Sequence, residues 1–125
     1  MMRDSGRVIV TAAALLVFAG CSNVHREAAQ LTGGDPKRGV ELIGRYGCAA
    51  CHTIPGVRGA NAAVGPPLTR VASRMYLAGQ ITNTPANMVR WIQHPREVEQ
   101  GTAMPEMGVT DSDARDIAAY LYTLR

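Results

Sequence analysis

The sequence predicts a small all-α domain of three to five helices built around one bound group. Three observations carry this. Helix-start signals recur at Asp35-Pro36, Thr84-Pro85 and Thr110. No stretch alternates apolar and polar residues as a half-buried strand would, so no strand is expected. A long Gly/Pro-rich segment, Thr53 to Pro67, has no helical period, and in so short a chain it makes sense only as a loop wrapping a ligand.

The chain has 125 residues, 46% hydrophobic and 18% charged, with a mean hydropathy of -0.04. Its organisation follows from the N-terminus. Arg3 and Arg7 precede an eleven-residue apolar run, Val8 to Phe18, interrupted only by Thr11. That is shorter than the ~20 residues a spanning helix needs, and it reads as an export signal over residues 1–20. Phe18-Ala19-Gly20-Cys21 resembles a bacterial lipobox, with Phe18 where Leu is usual. The expectation is a lipidated Cys21; the alternative is an incidental residue beside an ordinary cleavage site. Two acyl chains suffice for stable anchoring. Residues 21–34 are small and polar after the cysteine and are expected to form a flexible tether of at most about 40 Å. The folded domain is expected over residues 35–125.

Within it, Asp35 caps a first helix with Pro36 at its first position. Val40, Ile43 and Tyr46 share a face, and Gly47 ends it. Residues Leu68 to Ala78 suggest a short helix. Thr84-Pro85 starts another, with Met88, Trp91 and Ile92 on one side and His94-Pro95 at its end. Thr110 starts the last, where Asp111 and Asp113 suit the helix dipole. Ile117, Tyr120, Leu121 and Leu124 form its apolar stripe.

Between the first helix and the loop lies Cys48-Ala49-Ala50-Cys51-His52. In a C-x-x-C-H run two thiols can add across the vinyl groups of one heme, and the histidine is placed to ligate the iron. Zinc would need four ligands, yet the only other Cys is Cys21 and the only other His are His25 and His94. A thioredoxin-like dithiol would sit beside a βαβ pattern, which is missing. One covalent heme c is therefore expected, through Cys48 and Cys51, with His52 on the iron.

A second axial ligand would suit an iron that shuttles electrons. Met75 and Met88 fall in helical patterns, where Met usually fills a core. His94 sits at a helix end. Met104 and Met107 lie in an irregular segment, with Pro105 stiffening the backbone beside Met104.

These residues resemble a class I cytochrome c over about 33–125. Four blocks in order carry the resemblance: Gly39 to Thr53 with the C-x-x-C-H run, Gly65-Pro66-Pro67-Leu68, Gly101-Thr102-Ala103-Met104-Pro105, and Asp116 to Leu121. The stretch from Thr82 to Pro95 further resembles cytochrome c domains fused to subunit II of heme–copper oxidases, here without spanning helices or a copper-binding segment. The resemblance implies that Met104 is the second iron ligand, with Met107 as the alternative. It implies that the Pro66 carbonyl accepts from the His52 ring, that Arg74 lies near a heme propionate, and that Trp91 packs on the heme. It also implies a crossing of first and last helices, where Gly39 allows close approach; Ile43 stands where many relatives carry Phe or Tyr.

The formal net charge is +3, unevenly spread: residues 37–96 hold eight Lys/Arg and one acidic residue, and residues 97–125 hold six acidic residues and two Arg. A positive side including Arg58 and Arg70 would steer an acidic redox partner. Nucleic acid is not an expected partner: the basic residues are dispersed and no reader motif exists. No second constellation of titratable groups suggests catalysis, so an enzyme is not expected. The expected role is a membrane-tethered monoheme electron carrier outside the bacterial cytoplasm, in the periplasmic space. It would take electrons from a quinol-oxidising complex or dehydrogenase and pass them to a terminal oxidase. The alternatives are a fixed heme subunit of an oxidase or dehydrogenase complex, and a heme sensor or enzyme with an open iron face.

Overall fold

The computed structural model describes residue 20 and residues 23–125. Helix α1 covers residues 23–32, α2 Pro36–Arg45, α3 Pro85–Gln93, α4 Pro95–Val98 and α5 Asp111–Leu121. Short 3-10 turns occupy Cys48–Ala50 and Val71–Ser73. The capping chemistry operates as the sequence implies. Asp35 accepts from the Lys37 N–H, Thr84 from Asn87 and Thr110 from Asp113. Each cap contributes about 1 kcal/mol.

The α2–α5 crossing is the frame of the domain. Leu42 and Ile43 from α2 and Ala114, Ile117 and Ala118 from α5 are at most 2% exposed. Gly39 makes the crossing possible, because a Cβ there would run into the Asp116 carbonyl. A polar seam locks the same contact. The buried Asp116 carboxylate accepts from the Asp35 N–H at 2.7 Å and faces Arg38 at 3.5 Å. Asp113 accepts from Arg38 at 2.9 Å and from the Tyr46 hydroxyl at 2.7 Å. That bond, then burial, raises the Tyr46 pKa.

Three expectations are corrected. First, residues 23–32 are helical and docked rather than a flexible tether. Ala28 is fully buried and Thr32 nearly so, with the Thr32 hydroxyl donating to the Ala28 carbonyl at 2.9 Å. Ala28, Ala29, Gln30 and Leu31 include good helix formers, and one small buried face is enough to dock them. Second, no helix spans Leu68 to Ala78. Arg70 takes a left-handed φ of 57°, a 3-10 turn follows, and Tyr76–Leu77 (β1) pairs antiparallel with Ile81–Thr82 (β2). Ala78 and Gly79, both at positive φ, turn this small hairpin, so a strand pair exists where none was expected. Third, Met75 is 76% exposed and not helical, so it fills no core. Met88, in α3, is 1% exposed and does.

Asn83 joins the hairpin to the rest. Its amide donates to the carbonyls of Val71 at 3.0 Å and Arg74 at 2.9 Å, and its oxygen accepts from the Tyr122 hydroxyl at 2.7 Å. Burial pushes the Tyr122 pKa up to about 12.

Candidate functional site

The site begins where α2 ends. Gly47, at φ 75°, turns the chain into the Cys48–Ala50 turn. The His52 N–H then donates to the Cys48 carbonyl at 3.1 Å, so the five motif residues form one tight turn. Both thiols are free and half-buried. Burial, and then the neighbouring Cys51, raise the Cys48 pKa.

The Gly/Pro-rich loop folds back over this turn. It is held within by Ile54 N–H to Ala60 O at 3.0 Å and by the Thr53 hydroxyl to Ala62 O at 3.0 Å. The Gly65 N–H donates to the Cys51 carbonyl at 2.7 Å, and Leu68 to Thr53 at 2.8 Å. From α5, the Tyr120 hydroxyl donates to Pro55 O at 2.6 Å. The loop is thus an ordered strap.

The strap orients His52. Its Nδ1 lies 2.7 Å from the Pro66 carbonyl. A carbonyl can only accept, so Nδ1 carries the proton and Nε2 keeps its lone pair, the form a metal-ligating imidazole needs. Gly65 seats the ring: a Cβ there would stand 2.5 Å from His52 Cε1. Any side chain at 65 would push the imidazole away.

His52 faces an apolar cleft whose walls are mostly aliphatic and aromatic side chains and methionines, the lining expected of a site for a large apolar cofactor. The expected residues converge here. Cys48, His52, Pro66, Arg74, Trp91 and Met104 line the cleft, together with Met107 and the core residues Ile43, Met88 and Leu121. Cys51 joins Cys48, His52, Met104 and Met107 at the adjoining mouth. Arg74 reaches the rim with its guanidinium on the Pro67 carbonyl. The Met104 N–H is held by the Thr102 hydroxyl at 3.2 Å. Both Met104 and Met107 stand in the cleft wall. Cys21 lies outside the described residues, and Met75 and His94 are not part of the cleft lining.

The donor set fits a heme: two thiols, one oriented imidazole and two thioethers, all half-buried, around an apolar slot floored by core residues. It does not fit zinc, since among the described residues no three His, Cys, Asp or Glu side chains converge for an ion. Two supporting residues carried no separate signal in the sequence. Gly65 matters through what a Cβ would strike, and Asn83 through backbone carbonyls far along the chain.

An apolar slot with paired thiols and an oriented imidazole in its wall defines a c-type heme protein. The chain belongs to the cytochrome c family, whose sequence model matches residues 36–125. A cytochrome c2 from Rhodopila globiformis is 34% identical over 105 residues, covering 74% of this chain and 95% of that protein. No solved structure matches at a significant level. The fold is the small, mostly helical cytochrome c fold. The protein is an electron-transfer protein, not an enzyme, with covalently bound heme c and iron, and it acts with redox partner proteins.

Proposed function

We propose that this is a membrane-tethered monoheme carrier that passes single electrons along a respiratory chain in the bacterial periplasm. Cys48 and Cys51 would hold the heme through thioethers, and His52 Nε2 and Met104 would hold the iron. When bound, the heme supplies a one-electron ferric–ferrous couple. The Pro66 carbonyl fixes the His52 ring through its Nδ1 proton, and Gly65 keeps it seated. Trp91 and the apolar wall exclude water, and Arg74 at the rim offers charge to the propionates. With His52 and Met104 both as ligands, neither oxidation state would need a large rearrangement of these side chains.

The observation that carries this reading is the 2.7 Å contact from His52 Nδ1 to the Pro66 carbonyl, which supports Nε2 as the atom offered to the iron. A lipidated Cys21 supplies the anchor. No helix among the described residues is long and apolar enough to cross a membrane. The donor is a quinol-oxidising complex or dehydrogenase, and the acceptor a terminal oxidase. The oxidase follows from the likeness of Thr82 to Pro95 to oxidase-fused cytochrome c domains.

A Met104→Ala variant tests the ligand set. Its spectra should lose the thioether-ligand signature and show an open iron site. Retention of that signature would move the ligand to Met107.

A further inference from the structure

The docking of α1 changes what an N-terminal anchor can do. The residues that hold it are specific. Ala28 is fully buried, and Arg115 on α5 reaches the Thr32 carbonyl at 3.5 Å. Glu27 pairs with the C-terminal residue Arg125 at 2.9 Å. Gly33, at φ 72°, ends the helix by donating to the Ala29 carbonyl at 2.8 Å. Gly34 then passes so close to α5 that a Cβ would strike the Arg115 backbone. So the C-terminal half of α1 and the two residues after it, from Glu27 to Gly34, are bound to α5 and to Arg125 beyond it.

Helix α1 already includes residue 23, two positions after Cys21. Two residues of extended chain span at most about 7 Å, against about 40 Å had residues 22–34 been free. The helix itself is about 15 Å long.

We propose that α1 is a rigid strut that holds the heme domain against the lipid surface, with its α1–α5 side fixed relative to the bilayer. This rests on lipidation of Cys21. The consequence concerns partners. A domain on a 40 Å leash could turn its cleft toward soluble and membrane-held proteins alike. One joined to its acyl chains by at most about 7 Å of free chain and a docked helix meets partners in the plane of the membrane. Its donor and acceptor are then membrane-held redox proteins.

Two measurements on the heme-loaded protein test this. In a non-lipidated form beginning at Cys21, a fluorophore on that thiol reports its distance to the heme by time-resolved energy transfer. The strut predicts one narrow distance distribution. It predicts a broad one for Ala28→Asp and Gly34→Val, which undock α1 while leaving the heme spectrum unchanged. A broad distribution in the parent protein would overturn the proposal. The lipoprotein isolated from membranes is then placed in vesicles carrying a headgroup fluorophore. Strong quenching by the heme that drops several-fold when a twenty-residue Gly-Ser linker is inserted between residues 22 and 23 supports the strut. Quenching unchanged by the linker overturns it. A protein that shows the narrow distribution but does not float with vesicles overturns the lipidation reading, and with it the membrane half of the proposal.

Discussion

The two sides of this domain are built by different rules. At the α2–α5 crossing, apolar side chains are sealed, a glycine meets a carbonyl, and the carboxylates of Asp113 and Asp116 are partnered. Among the described residues no buried side-chain nitrogen or oxygen lacks a hydrogen bond. Across the molecule, Cys48, His52, Trp91, Met104 and Met107 are half-buried in an apolar slot that opens to solvent. The crossing is complete as protein alone. The slot is floored by core residues, and its half-buried wall residues are where the heme would pack. Changes at the crossing should therefore cost stability, while changes in the slot should move the properties of the iron.

The largest effect is expected at Gly39. Gly39→Val must separate α2 from α5, because the obstacle is the Asp116 backbone and not a movable side chain. The loss should be about 3 kcal/mol or more, read as a lower denaturant midpoint. Asp116→Ala comes next. It leaves the Asp35 N–H without its acceptor, while Arg38 keeps Asp113, at a cost of about 1–3 kcal/mol in the same measurement.

Tyr122→Phe removes the hydroxyl that orients Asn83 and should cost about 1 kcal/mol. It also has a pH signature. The Tyr122 pKa rises from 10.0 to about 12 on folding, so the unfolded chain gives up that proton first. The contribution is fully present below pH 10 and is lost as pH climbs toward 12. Tyr46 and Tyr120 are shifted the same way. Stability measured across this range should fall, and less steeply in Tyr122→Phe.

The smallest stability change is expected at Gly65. Gly65→Ala should cost less than about 1 kcal/mol yet shift the reduction potential, because it displaces the His52 ring and weakens its bond to Pro66. If it lowered the denaturant midpoint as much as Asp116→Ala, the division between frame and slot would fail.

The same division explains what the sequence could tell. Local chemistry was readable. Asp35, Thr84 and Thr110 announced their helices because a cap acts within three residues. The Cys48–His52 run announced a heme because its five residues are contiguous. Features set by distant contacts were not readable. The Leu68–Ala78 stretch was expected to be helical, but Asn83 holds the carbonyls of Val71 and Arg74 at the two ends of a 3-10 turn, and Tyr122 holds Asn83. Residues 23–32 look like a linker because their helix rests on one buried alanine and a glycine that fits against Arg115. The slot lay between these cases. Pro66, Arg74, Trp91 and Met104 were legible through family resemblance, whereas the seat that Gly65 gives His52 depends on a clearance only the fold reveals.

The central claim is that the slot holds its iron on both faces, with His52 fixed by the strap and a methionine from the 101–107 segment opposite it. Carbon monoxide added to the reduced native protein tests this most directly. An unchanged absorption spectrum is predicted, because His52 and the methionine would both be held on the iron. A shifted spectrum at stoichiometric gas would mean an open iron face, and would contradict the reading of this protein as an electron carrier.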